Sequence, residues 1–147
     1  FETSGFSHAL ADAVYFRMSF PTCWCANRVP DEIVERAEQV YRAELARTCP
    51  EAADDRVFYP ALVKMCGFRV MVELGYWMKR AEENPTREWG IATLPPRVVT
   101  RLETFVHAAE QFGHLDGLRG LCEEALKVLE TRWGTLERLP VYPAFRG

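Results

Sequence analysis

A chain of 147 residues, 48% of them apolar and with charges of both signs spread along it, is long enough to bury one core and short for two. Its formal net charge of −3, with Lys and Arg scattered rather than clustered, offers no electrostatic footprint for nucleic acid or an anionic membrane. No apolar run approaches the roughly 20 residues that cross a bilayer, and the first residues lack a charged-then-apolar leader, so a cytoplasmic location without membrane or nucleic-acid partners is expected.

Ser7 is placed to cap a first helix through His8, Leu10, Asp12, Val14 and Phe16 toward Ser19, which Pro21 stops by removing a backbone donor. An aromatic, cysteine-bearing loop then runs from Pro21 to Arg28. Pro30 followed by Asp31 and Glu32 starts a second helix, because proline suits a first turn and carboxylates complement the positive end of the dipole. Ile33, Val34, Ala37, Val40, Tyr41 and Leu45 recur at helical spacing until the helix ends before Pro50.

Asp54 and Asp55 are candidate caps for a long third helix that lasts to Asn84-Pro85, with Pro60 in its first turns or at a kink. Phe58, Leu62, Met65, Cys66, Val70, Leu74 and Trp77 make this helix apolar nearly all round, and hence the central one. A linker through Trp89-Gly90 leads to Pro95-Pro96. Two further stripes follow, Val98, Leu102, Phe105, Val106, Ala109 and Phe112, then Leu118, Leu121, Cys122, Ala125, Leu126, Leu129 and Trp133. The turn from Gly113 to Gly117 is so short that the two form an antiparallel hairpin, with Asp116 as cap. The tail from Leu136 to Gly147 is extended and crosses the bundle through Leu139, Tyr142 and Phe145. No period-two alternation is long enough for a strand. The expected fold is all-α, about five helices in an irregular bundle: a single domain over 1–147, divided into a loop and first helix (1–20), the bundle (30–133) and the tail (134–147).

The opening Phe1-Glu2-Thr3-Ser4-Gly5-Phe6-Ser7-His8-Ala9-Leu10-Ala11-Asp12-Ala13-Val14-Tyr15 resembles the stretch after the metal-binding Asp in the aminoglycoside phosphotransferase and choline kinase-like superfamily. There Asp-Phe-Glu or Asp-Phe-Gly leads through a glycine-bearing loop into a helix with a further Asp. The remainder is similar to that superfamily's helical C-terminal subdomain, including the tail Leu139-Pro140-Val141-Tyr142-Pro143. The resemblance implies that Phe1 is the aromatic after the metal-binding Asp, Glu2 the residue after it, and Asp12 the helix Asp that braces the catalytic region. The metal-binding Asp, the nucleotide lobe with its lysine, and the His-Gly-Asp…Asn loop are not among these residues. This chain alone is therefore expected to transfer no phosphate; ATP and magnesium are implied only for an intact family member. A piece of a longer kinase-like protein, a truncated gene product and a helical subdomain working without a catalytic half all stay open, with truncation favoured by a first residue directly after the expected Asp.

Other constellations have plain readings. His114-Leu115-Asp116 imitates a catalytic-loop triplet, but Leu121 stands where the metal-binding Asn is needed. Cys23-Trp24-Cys25 supplies one cysteine pair where a soft-metal site needs about four ligands, so two small apolar residues beside an indole are expected, with a redox or metal role second. The five cysteines are expected to be reduced and no metal site is expected. His8 and His107 sit in apolar patterns as core or rim residues.

Two groups are candidate substrate contacts. Asp54 and Asp55, with Glu51, could face a cation, as acids do in the aminoglycoside-binding subdomain that the chain resembles, although capping serves them equally; Glu2 is a further candidate substrate contact. Glu73 and Trp77 lie one turn apart with Tyr76 beside them, a carboxylate with aromatic faces suited to an organic cation, although a core Trp and Tyr beside a solvated Glu is the favoured plain reading. The reading is thus the acceptor-side subdomain of a kinase for a small hydroxylated or cationic molecule, catalytically incomplete as given. The alternative is a stand-alone helical binding or interaction module. A homodimer is expected around Phe1, Phe6, Tyr15, Phe16 and Phe20, aromatic residues that the missing lobe would cover.

Overall fold

The structure, a computed structural model, describes residues 8–18, 23 and 25–146. Ser7, Phe1, Glu2, Phe6 and Phe20 fall outside them. Helix α1 (Leu10–Ala13) passes into a 3₁₀ turn, Val14–Phe16, and is shorter than expected. The run Val14-Tyr15-Phe16 is β-branched and aromatic and so has low α-helix propensity. The amides of Arg17 and Met18 both bond to the Val14 carbonyl, and Leu10, Ala13, Val14 and Met18 all enter the core.

Helix α2 (Asp31–Leu45) begins at Pro30, whose carbonyl accepts from the amides of Ile33 and Val34 at 3.0 Å each. A 3₁₀ turn, Pro50–Ala53, leads to helix α3 (Asp55–Glu83). Asp54 caps it: the side chain accepts from the Arg56 amide at 2.9 Å. Pro60 lies inside this helix, in its second turn. Helix α4 (Leu94–Phe112) starts with prolines in its first turn and ends at Gly113, φ 67°. There the amide of His114 reaches the Ala109 carbonyl and that of Gly113 the Glu110 carbonyl, the paired bonds of a left-handed glycine stop. Helix α5 (Asp116–Trp133) runs back against α4.

Among the described residues the regular structure is helical apart from one small hairpin and an isolated bridge in the tail. Strands β1 (Glu88–Trp89) and β2 (Ala92–Thr93) pair antiparallel where an unstructured linker was expected. Two residues each are too few for an alternation to show in the sequence, and Gly90 at φ 66° makes the turn. Among the described residues no helix is long and apolar enough to cross a membrane.

Three further expectations change. Asp116 is the first residue of α5 rather than its cap, and pairs with Arg119 at 3.4 Å; the cap position is Leu115, held at φ 63°. Leu115 occupies this left-handed position while its side chain packs with Leu118 and Phe105 around the space above Gly67. In α3, the predicted apolar positions do face the core, but the helix is not buried all round. Phe68, Met71, Val72 and Tyr76 form an opposite stripe, exposed by 57%, 64%, 61% and 54%. Leu121 and Phe145 are exposed too, as are His8 and His107.

The core unites Leu62, Val63, Cys66 and Val70 of α3 with Val98, Leu102, Phe105 and Ala109 of α4 and Cys122 and Leu129 of α5. The tail is stitched down at one point. The Arg28 amide donates to the Pro140 carbonyl (2.8 Å), the Tyr142 amide to the Arg28 carbonyl (3.1 Å), and Arg28 Nε to the Leu139 carbonyl (2.7 Å). This short parallel bridge buries Leu139.

Candidate functional site

The helix that carries Asp12 is held by its backbone. Tyr41 of α2 donates its hydroxyl to the Ala9 carbonyl at 2.5 Å, and Arg69 of α3 donates Nη2 to the Ala11 carbonyl at 3.2 Å. The Arg69 guanidinium also lies 4.7 Å from the Tyr15 ring centroid, and Phe16 meets Tyr41 edge-on at 6.3 Å. Burial, and then the negative charge of Asp12, pushes the Tyr41 phenol pKa up, so the hydroxyl stays a donor. Asp12 itself is exposed. Two helices therefore fix the main chain on either side of an acid left open to solvent.

A ladder of cations and rings supports the same end of the bundle. Arg17 donates Nε and Nη2 to the two carboxylate oxygens of Glu38 (2.5 and 2.8 Å) and covers the Phe112 ring at 5.1 Å. Phe112 stacks on Tyr59 at 4.3 Å, and Arg42 covers Tyr59 and Phe58 at 5.1 and 4.9 Å. Arg42 also donates to the carbonyls of Ala52 and Ala53 and meets Asp55 at 2.6 Å. A cleft of about 210 Å³ opens beside the ladder, lined by Glu35, Gln39, Gln111 and these residues.

Asp54 and Asp55 are thus engaged within the fold. Asp54 caps α3 and accepts from the Arg56 side chain at 3.1 and 2.9 Å; that bond first, and the Arg56 amide second, hold its carboxyl below the usual range. Asp55 turns to Arg42. Neither lines the described cavities, and no group of three or more metal-ligating side chains occurs among the described residues.

Tyr76 and Trp77 do come together, their rings in edge contact at 5.0 Å. Trp77 is half-buried and walls a pocket of about 130 Å³ with Arg80, Glu83, Arg87 and Trp89. The Tyr76 ring carries a cation from its own helix, with the Arg80 guanidinium 4.8 Å from its centroid. Glu73 follows Arg69 by one helical turn on α3. Phe1 and Glu2 lie outside the described residues.

The parts played by Arg17, Glu38, Arg42 and Arg69 are not legible from local sequence. Each is a charged residue within a pattern that reads as a solvated helix face, and only tertiary placement pairs Arg17 with a carboxylate 21 positions away. In comparison with known proteins, no family model, no curated protein and no solved structure matches the chain.

Proposed function

We propose that these 147 residues are the helical, acceptor-side subdomain of a small-molecule kinase of the aminoglycoside phosphotransferase and choline kinase-like kind, catalytically incomplete as given. One observation carries the reading. The Phe1-Glu2 loop sequence leads into the helix bearing Asp12, and the carbonyls of that helix are clamped by Tyr41 and Arg69 onto an all-helical body. Such a clamp fixes the exit of a metal-site loop while leaving Asp12 open to brace a neighbouring catalytic segment. ATP and magnesium belong to the intact protein, through residues that are not among these.

In this reading the acceptor is a hydroxylated organic cation, and the Glu73, Tyr76 and Trp77 segment of α3 receives it. The ring of Tyr76 already draws a guanidinium, which is the attraction an amino-sugar or amino-alcohol would use. Arg80 then competes with ligand for that face. Tryptophan fluorescence titration with an amino-sugar panel tests this: Arg80→Ala should bind several-fold more tightly and Trp77→Ala more weakly. Equal affinities in all three chains would overturn the assignment.

The exposed stripe Phe68, Met71, Val72 and Tyr76 favours a second reading, a helical binding or interaction module without enzymatic activity. Apolar side chains at i, i+3, i+4 and i+8 make one continuous helix face of the kind that partners cover. The homodimer belongs to this reading as well. Of its described residues, Tyr15 is half-buried beneath Arg69 and Phe16 is exposed.

A further inference from the structure

Cys23 and Cys25 occupy one tight turn. The amide of Ala26 bonds to the Cys23 carbonyl at 3.2 Å, and the Asn27 side chain donates to the Cys25 carbonyl at 2.8 Å. The two sulfurs lie 3.2 Å apart, inside ordinary sulfur contact and roughly 1 Å beyond a disulfide bond. Both residues are half-buried, within reach of small reagents. The other thiols differ: Cys66 and Cys122 are buried, with burial pushing Cys66 up to about 12 and Cys122 upward, and Cys49 is exposed without a cysteine beside it.

A buried cation flanks the pair. Arg97 of α4 donates Nη1 to the Cys23 carbonyl (2.7 Å) and Nη2 to the Trp89 carbonyl (2.6 Å). The hydrogen bond with Cys23, and then burial, hold the Cys25 thiol above its usual range, with the Arg97 charge a weaker opposing pull.

We propose that Cys23 and Cys25 form a reversible dithiol–disulfide site that takes disulfide oxidants of the glutathione class. One protein thiolate attacks a sulfur of oxidised glutathione, forming a mixed disulfide and releasing one glutathione thiolate. The second protein sulfur, already in contact, attacks the protein sulfur of that mixed disulfide and releases the second glutathione. The sulfurs lose two electrons and two protons, which leave as two reduced glutathione molecules. A bond across one intervening residue is strained, so the site is easily reduced again, as labile rather than structural disulfides are. The turn also leads directly to Arg28, whose backbone pairs with Pro140 and Tyr142, so closing the ring acts on the segment that holds the tail.

Both cysteines fall in one tryptic peptide, residues 18–28. The full chain is incubated with oxidised glutathione, quenched in acid, alkylated with N-ethylmaleimide under denaturing conditions and digested. The expected peptide 18–28 is two hydrogens lighter, unalkylated, and restored to double alkylation by dithiothreitol. With Cys25→Ser, the same treatment should leave glutathione or maleimide on Cys23. Double alkylation of the native peptide at oxidant levels that close a reference dithiol would overturn the proposal, and so would a mixed disulfide that persists instead of resolving.

Discussion

Arg17 grips Glu38 through two hydrogen bonds, with each side chain only 6% exposed. A buried pair of this kind contributes little net stability against an apolar substitute, yet it is costly to break on one side. Arg17→Met strands a buried carboxylate and should cost about 3–5 kcal/mol in urea unfolding. The double replacement Arg17→Met with Glu38→Leu should recover most of that. A single variant as stable as the wild type would show that the carboxylate is hydrated rather than enclosed.

The same carboxylate predicts a pH effect. Burial holds the Glu38 carboxyl above its ordinary value, against the opposing pull of Arg17. The native chain thus binds this proton more readily than the unfolded chain. The Glu38 contribution to stability therefore falls as pH rises from the ordinary glutamate value through the raised one, and is level above it. The unfolding free energy of the wild type minus that of Glu38→Gln should decline across this interval. A rise over the same interval would reverse the sign of the argument.

Asp54 behaves oppositely, because its folded carboxyl sits below the ordinary value. Its contribution is present above the unfolded aspartate value and is lost as pH falls through the depressed one. Asp54→Asn keeps a cap acceptor and removes this acid dependence, whereas Asp54→Ala removes both. The thermal midpoint at neutral pH should fall by roughly 2–4 °C in the alanine variant and by less in the asparagine variant. Equal losses would mean that the charge matters and the cap does not.

Gly67 of α3 lies against the side chains of Leu115, Leu118 and Phe105. A Cβ there would stand 3.0 and 3.1 Å from the tips of Leu115 and Leu118 and 3.3 Å from the Phe105 ring. Leucine tips can yield, and alanine gains up to about 1 kcal/mol of helix propensity, so Gly67→Ala should remain within about 1 kcal/mol of the wild type. Gly67→Val adds two methyl groups against the buried Phe105 and should lose about 1–3 kcal/mol or more. Equal denaturation midpoints for valine and alanine would show the junction to be loosely packed.

The helices were legible because their signals are local: Asp54 before a long apolar run, Pro30 before two acids, Gly113 after Phe112. What was not legible depends on partners remote in sequence. Helix α3 reads as apolar nearly all round, because Phe68, Met71 and Val72 look no different from Leu62 and Val70 until one face finds α4. Leu115 carried no sign of its left-handed backbone, a conformation that a leucine rarely adopts. Of the candidate site, the ring contact of Tyr76 with Trp77 follows from adjacency. The occupancy of Tyr76 by Arg80 rests on one helical turn, and that spacing alone does not give the rotamer.

The central claim, a kinase subdomain without its catalytic half, is tested most directly by reading the coding sequence upstream of Phe1. The account predicts an Asp codon immediately before Phe1, preceded by a His-Gly-Asp…Asn loop and a nucleotide lobe with its strand lysine. It also predicts that the 147 residues alone, given ATP, magnesium and amino-sugars, transfer no phosphate. A translation start just before Phe1, with no such lobe encoded, would contradict the account and leave the interaction module in its place.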